Sequence, residues 1–363
     1  MILVDIIAGA RPNFMKVAPI INAINESQRN GGKLTFRLVH TGQHYDPKLS
    51  GSFFDQLNIP QPDINLEVGS GTQAEQTAAI MIRYEKLLCG EPPKLCMVVG
   101  DVTSTMACAI TAQKMGIPVA HVEAGIRSGD WSMPEEINRM VTDSITNYFF
   151  TTSITANENL IKANVKKENI FFVGNTMIDT LLANLERLKS PPFWDDLKLV
   201  SGEYLILTLH RPSNVDSAKK FKDLLFAVEK FSRELPIIFP IHPRTANTLL
   251  EVKDLPRNLN MVDPQPYLEF NYLVKNAKAV ITDSGGVTEE ATVLGVPCMT
   301  LRDSTERPET VTVGTNQLIG TNPSALEPAF NKLFAGKWQE GKIPEKWDGK
   351  TAERIVSILE RLP

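Results

Sequence analysis

The chain predicts an α/β fold in two domains, each an open parallel sheet, and three observations carry that reading. Short apolar runs alternate with helical patterns along the whole sequence, the mark of parallel βαβ units. The scheme restarts after a softer stretch near residues 176–203, which holds Pro191-Pro192 and several charges. At 363 residues the chain has the length of two domains rather than one. The expectation is therefore two Rossmann-like domains facing a cleft, residues 1–174 and 175–350, followed by a C-terminal helix over 351–363 that could pack back on the first domain.

Strands are expected in the first half at Ile2–Ala8, Leu34–His40, Leu95–Val99, Val119–Val122, Tyr148–Phe150 and Ile170–Val173. Helical patterns lie between them over 15–29, 73–88, 104–114, 134–146 and 156–163. The second half opens with a strand at Tyr204–Leu209. It is followed by a helix whose Ala218, Phe221, Leu224, Leu225, Val228 and Phe231 share one face. Further strands are expected at Ile237–Pro240, Met261–Val262, Ala279–Thr282, Cys298–Leu301 and Gln317–Ile319, with helices beginning near Arg244, Tyr267, Gly286 and Ser324. Residues 352–362 form a last amphipathic helix.

Composition narrows the function classes. Hydrophobic residues at 42% and charged residues at 22% suit a soluble globular protein. A net charge of −4 gives no reason to expect nucleic acid or an anionic membrane as partner. The cysteines at 89, 96, 108 and 298 have no disulfide-like spacing and read as reduced thiols, mostly in the core. The opening Met1-Ile-Leu-Val-Asp5 lacks a basic flank and is interrupted by Asp5, so it reads as a first strand and not as a leader. No apolar run approaches the ~18 residues of a membrane span. The expected location is the cytoplasm.

Candidate chemistry gathers where strands end. Asp283-Ser284-Gly285-Gly286 follows a strand and opens a helix, a place where unpaired N–H groups and the helix dipole suit a phosphate. Glu290 lies one turn further on, within reach of ribose hydroxyls, and Arg307 follows in a charged loop. The same residues also make an ordinary strand-to-helix turn. After the first strand, Gly9-Ala10-Arg11-Pro12 places Arg11 and Lys16 beside a helix N-terminus, with Pro12 suited to the first helical position. The two cations either address an anion or are simply solvated. Asp101 and Glu123 end strands, and Glu135 and Glu136 open a helix. Three carboxylates crowding one pocket would have the raised pKa of a general acid or base. Singly, Asp101 could cap the helix behind it and Glu135 could pair with Arg139. His40, His121, His210 and His242 fall at or just after strand ends, and His210-Arg211 opens the first loop of the second half as Arg11 opens that of the first. Each also reads as a core or capping histidine. No HExxH, Cys/His cluster, GxGxxG with a downstream acid or GxxxxGK[ST] occurs, so neither a metal nor a dinucleotide cofactor is expected.

Taken in order, Gly9-Ala-Arg-Pro…Lys16, Gly42-Gln-His44, Gly100-Asp101, His121-Val-Glu-Ala-Gly125, Pro134-Glu-Glu-Ile-Asn-Arg139, His210-Arg211, Thr282-Asp-Ser-Gly-Gly286…Glu289-Glu290 and Arg302-Asp…Thr305-Glu-Arg-Pro-Glu309 resemble the non-hydrolysing UDP-N-acetylglucosamine 2-epimerase family. The resemblance covers nearly the whole chain. It implies a GT-B-like fold, a UDP-acetamido sugar as substrate, a homodimer, and inversion at carbon 2 without NAD or an essential metal. In that family UDP is eliminated and re-added to a 2-acetamidoglucal. By resemblance Asp101, Glu123 and Glu135 are the acid/base residues, and Arg11, Lys16 and His210 stabilise the departing UDP. Phe270, Ser284, Gly285, Gly286 and Glu290 hold the nucleotide, and Arg139 and Arg307 place the sugar and phosphates. Gln43, His44, Arg211 and His242 complete the substrate-binding set.

Three places depart from the best-known bacterial pattern. Asn13-Phe14 replaces an acidic residue, Tyr45-Asp46 follows Gln43-His44 in place of a basic residue and a glutamine, and residues 129–133 are shorter. Activation by a second sugar nucleotide is therefore not carried over. The Gly-Ala-Arg-Pro-x-Phe and Met-Pro-Glu-Glu-Ile-Asn-Arg variants also resemble epimerases of UDP-2,3-diacetamido-glucuronate, and the exact sugar stays open.

Overall fold

A computed structural model describes residues 1–42, 56–57 and 59–362, with Arg11, Pro243 and Arg244 described by their backbone alone. The chain divides into two units, residues 1–183 with 345–363, and residues 184–344. In unit 1 the described strands are β1 Ile2–Ala8, β2 Leu34–His40, β3 Ile64–Asn65, β4 Leu95–Val99, β5 Val119–Val122, β6 Tyr148–Thr151 and β7 Ile170–Phe172. They pair in parallel in the order β3-β2-β1-β4-β5-β6-β7. In unit 2, β8 Leu205–Thr208, β9 Ile237–Pro240, β10 Leu259–Val262, β11 Ala279–Thr282, β12 Cys298–Thr300 and β13 Asn316–Leu318 pair in parallel as β10-β9-β8-β11-β12-β13. Each unit thus runs 3-2-1-4-5-6 from its own first strand, the doubly wound order, with a seventh strand added at the edge in unit 1 and a switch point between the first and fourth strands of each.

Parallel strands buried on both faces need apolar residues at every position. Unit 2 shows this residue by residue. Leu205, Leu207, Phe239, Ile281 and Met299 belong to one core cluster, while the alternate positions Ile206, Ile238, Val280 and Cys298 belong to another. The helix Ala218–Phe231 buries Phe221, Leu224, Leu225 and Val228, the face that its spacing predicts. Cys96, Cys108 and Cys298 are buried and Cys89 is exposed, all of them as free thiols.

Two features depart from the expected layout. The stretch read as soft begins with a helix, Thr176–Ala183, which buries Met177, Ile178 and Leu181 and packs on the helix Arg11–Arg29. Its brevity, and the prolines and charges that follow, hide its pattern. The chain also rejoins unit 1 at Glu345, ahead of the last helix, Thr351–Leu359, which packs on Arg11–Arg29 and on Thr176–Ala183. Trp347 is 1% exposed and its Nε1–H donates to the Thr152 carbonyl at 3.1 Å. Gly174, at φ +108°, lies under this returning segment, and an added Cβ would sit 2.1 Å from the Lys346 carbonyl oxygen. No helix among the described residues is long and apolar enough to cross a membrane.

Candidate active site

Unit 1 builds its polar cluster at the carboxyl ends of β1, β4 and β5, beside its switch point. The turn after β1 is set by Asn13, which is 2% exposed. Its Oδ1 accepts from the N–H groups of Gly9 and Ala10 at 3.2 and 3.1 Å, and its Nδ2 donates to the Val99 carbonyl at 3.0 Å. The helix then starts at Arg11, so Pro12 takes its second position and not its first. Further along that helix, Lys16 Nζ lies 2.6 Å from Glu123 Oε2, with the lysine side chain 12% and the glutamate 2% exposed. Gly100, at φ +69°, makes room for the pair: a Cβ there would be 3.1 Å from Lys16 Nζ and 3.4 Å from Glu123 Oε2.

Asp101 does not cap the helix behind it, where Val102 holds the cap position. Its carboxylate takes the Nε and Nη2 of Arg139 at 3.1 and 2.7 Å, and its carbonyl accepts from Asn138 Nδ2 at 2.8 Å. Arg139 turns its Nη1 to Glu136 at 2.6 Å and not to Glu135 as the spacing suggested. Glu136 and Arg139 share the buried face of the helix Pro134–Ile145, with Glu135 turned about 100° away. Glu135 is half-buried and has no hydrogen bond or ion pair among the described residues. Burial alone would raise the Glu136 pKa, but the N–H groups of Ser128 and Gly129, with Arg139, bring it below the ordinary value. The expected crowding of carboxylates is thus replaced by pairing. Asp101 faces Arg139 and Glu123 faces Lys16.

In unit 2 the organising residue is Asp283, fully buried at the end of β11. It accepts from the N–H groups of His210 and Arg211 at 3.1 and 2.9 Å, from Asn214 Nδ2 at 3.1 Å, and meets His210 Nδ1 at 2.9 Å. One carboxylate therefore fixes the loop after β8 across the switch point. Burial pushes its pKa upward, but His210, Asn214 and the Arg211 N–H overcome this and hold it below the ordinary range. The His210 side chain is 37% exposed, its Nε2 has no hydrogen-bond partner among the described residues, and its ring lies 5.5 Å from that of His242. The helix Gly285–Val293 starts just after Ser284, whose own N–H turns back to Thr282 Oγ1 at 2.9 Å. The first N–H groups of that helix have no partner within it and suit an anionic oxygen.

Around this terminus, Arg302 Nη2 lies 2.5 Å from Glu306, and Arg211 approaches the same carboxylate at 3.9 Å. Arg307 is 7% exposed and paired with Glu289, so its guanidinium is turned inward. Glu290 is buried, with Asn271 Nδ2 3.3 Å from its Oε1, and burial raises its pKa to about 7. Phe270, half-buried on the helix Tyr267–Asn276, packs against the core cluster that includes Val280 and Ala291.

The structure thus pairs Lys16 with Glu123 and Arg139 with Asp101 at neighbouring strand ends of unit 1, and gathers His210, Arg211, His242, Ser284, Gly285 and Gly286 at one end of unit 2. The Arg11 side chain, Gln43 and His44 lie outside the described residues. Sequence reasoning missed Asn13, Asn138 and Asp283 as framework residues. Asn13 had a legible signal, since a polar residue at the third position of a helix reaches back to the preceding turn. Asp283 had none, because its partners lie about seventy residues away. Among the described residues no group of three or more His, Cys, Asp or Glu is placed to hold a metal ion.

Comparison with known proteins adds the family. Residues 26–360 match the model of the UDP-N-acetylglucosamine 2-epimerase family. The UDP-N-acetylglucosamine 2-epimerase of Methanocaldococcus jannaschii is 42% identical, with 98% of each chain covered. Its crystal structure in complex with UDP-GlcNAc and UDP matches with a TM-score of 0.87 over 99% of each chain. A UDP-2,3-diacetamido-2,3-dideoxy-D-glucuronate 2-epimerase of Pseudomonas aeruginosa is 36% identical, covering 98% of this chain and 99% of its own. The calicheamicin glycosyltransferase, at 13% identity and a TM-score of 0.52 over 98% and 94% of the two chains, shares the fold alone, which is GT-B-like. By its matched residues and by these relatives along its length, the chain belongs to the UDP-N-acetylglucosamine 2-epimerase family.

Proposed function

We propose that the protein is a non-hydrolysing UDP-N-acetylglucosamine 2-epimerase, interconverting UDP-GlcNAc and UDP-ManNAc. One observation carries the reading furthest: a carboxylate–lysine pair, Glu123 and Lys16, stands beside Asp101 at the ends of three adjacent strands. A relative that shares this fold along its length was crystallised with UDP-GlcNAc and UDP. The carbon-2 hydrogen is not next to a carbonyl, so a base alone cannot form a stable carbanion there. Elimination avoids one. The C2–H electron pair becomes the C1=C2 bond of a 2-acetamidoglucal as the C1–O bond breaks, the proton passes to a carboxylate, and UDP leaves with the C–O electron pair. Return of a proton to the opposite face of C2 and of the diphosphate oxygen to C1 completes the inversion.

Asp101, Glu123 and Glu135 form the acid/base set. We assign Lys16, Arg11 and His210 to stabilising the departing diphosphate, as the family resemblance implies. Each tenfold gain in rate corresponds to about 1.4 kcal/mol, within the scale of such electrostatic stabilisation. Ser284, Gly285 and Gly286 take the diphosphate on the helix N-terminus, with Phe270, Glu290 and His242 completing the nucleotide site and Gln43, His44 and Arg211 its surroundings. Arg139 and Arg307 act through the carboxylates they orient, Asp101 and Glu289. We place the enzyme in the cytoplasm, in keeping with its free thiols, and as a homodimer. The helix Pro134–Ile145 exposes Ile137 and Met140, with Trp131 exposed just ahead of it, an apolar face suited to a second copy.

The test is incubation with UDP-N-acetylglucosamine in D2O, followed by proton NMR. Deuterium at carbon 2 of a UDP-linked manno product is expected. Free N-acetylmannosamine would instead identify a hydrolysing enzyme. Exchange only with UDP-2,3-diacetamido-glucuronate would move the substrate to that sugar, and no exchange with any UDP-acetamido sugar would overturn the reading.

A further inference from the structure

Beneath the cluster of unit 1 lies a second network, buried at His121 and Asp143, to which the mechanism above gives no role. His121 on β5 is 0% exposed. Its Nε2 is 2.8 Å from the Gly100 carbonyl and its Nδ1 is 2.7 Å from Asp143 Oδ1. Each ring nitrogen is thus held by an oxygen. The other oxygen of Asp143 accepts from the Gly125 N–H at 3.1 Å and pairs with Arg127 Nη1 at 2.6 Å. The two backbone groups reached in this way are not arbitrary. Gly100 precedes Asp101, and Gly125 lies just past Glu123. All three of Gly100, Glu123 and Gly125 sit in the left-handed region, at φ +69°, +70° and +79°. Glycine adopts that conformation freely, but glutamate does so only when its surroundings hold it there.

We propose that His121 and Asp143 are positioning residues for the epimerisation, a buried strut that sets the turns bearing Asp101 and Glu123 in mutual register. The Gly100 peptide is gripped on both sides, its N–H by the Val122 carbonyl at 3.0 Å and its C=O by His121. Asp143 reaches from the helix Pro134–Ile145, the same helix whose Arg139 orients Asp101, so that helix controls both turns. With the strut removed, Glu123 relaxes toward ordinary backbone angles and the Gly100 turn loses its anchor, so the two carboxylates lose their common aim while remaining present. The inference rests on Asp101 and Glu123 being the acid/base residues.

The experiment compares wild type with His121→Asn and Asp143→Asn. It measures kcat and KM for UDP-N-acetylglucosamine, calorimetric affinity for UDP, and thermal melting. Misplacement of reacting groups by about an ångström predicts a fall in kcat of about a hundredfold. KM and UDP affinity are expected to stay near wild type in both variants. Asp143→Asn keeps the side-chain volume and serves alone if His121→Asn does not fold. Wild-type kcat in a folded variant overturns the proposal. So does a loss of kcat matched by a rise in KM, weaker UDP binding and a fall in melting temperature, which marks a merely structural role. Failure of the wild type to exchange the carbon-2 hydrogen counts against the function reading itself, and so separates the two.

Discussion

At the switch point of unit 1, Lys16, Glu123, Asp101, Arg139 and Glu136 close on one another as ion pairs. At that of unit 2, Asp283 collects its donors from a single loop and leaves His210 Nε2 and the start of the helix Gly285–Val293 open. The strand order is the same, but the electrostatic outcome differs: unit 2 also holds ion pairs, Arg302–Glu306 and Arg307–Glu289, yet keeps donors open at its helix terminus. Paired acid and base groups suit proton transfer, where charge must appear and vanish within one site. Fixed donors without acceptors suit a ligand that brings its own negative charge. Two copies of one architecture are thus specialised by what stands at the strand ends and not by the sheets.

The comparison breaks most sharply at the carboxylates. Glu123→Gln and Asp101→Asn are expected to lower kcat by about a thousandfold while leaving calorimetric UDP affinity unchanged; a loss of UDP binding would erase the division of labour. A stability effect of roughly 3 kcal/mol at most belongs to Glu290. Its ordinary value is 4.5 and burial raises it to about 7. Between those values the folded chain keeps a proton that the unfolded chain has released, so stability falls as pH rises across that window and levels off above it. Denaturant unfolding at about pH 5 and about pH 8 should show this slope in wild type and a flatter one in Glu290→Gln. Gly285→Ala sharpens the account of unit 2. Its Cβ would lie 2.7 Å from Glu306 Oε1 and displace that flexible carboxylate from Arg302. UDP affinity should weaken by about tenfold, near 1.4 kcal/mol, with kcat at saturation preserved. Smallest for the chemistry is the paired substitution Ile137→Ser and Met140→Ser, which should shift the mass measured by light scattering from two protomers to one.

Much of the fold was legible because buried parallel strands declare themselves as apolar runs. β1, β2, β4, β5, β9 and β11 have the bounds that the sequence predicts. The two-residue β3 and the helix Thr176–Ala183 were not legible, being too short for periodicity to rise above their polar neighbours. For the site, strand-end position singled out Asp101, Glu123, His210 and Ser284. It said nothing of which charge each would meet. The partners of Arg139 turned out to be Asp101, thirty-eight residues away, and Glu136 rather than Glu135 of its own helix, because only tertiary packing decides which face of a helix turns inward. The strut of His121 and Asp143 joins residues from different elements for the same reason.

The return of residues 345–363 to unit 1 has a consequence for how the molecule is made. Unit 2 is continuous in sequence and can complete its sheet as soon as it emerges from the ribosome. Unit 1 must wait, since Trp347 has to settle against the Thr152 carbonyl and the Ala352 N–H has to reach Asp179 at 2.7 Å before its outer wall is closed. The half that carries the paired carboxylates is therefore closed only by residues 345–362, and truncation before residue 345 is expected to leave unit 2 whole and unit 1 without that wall.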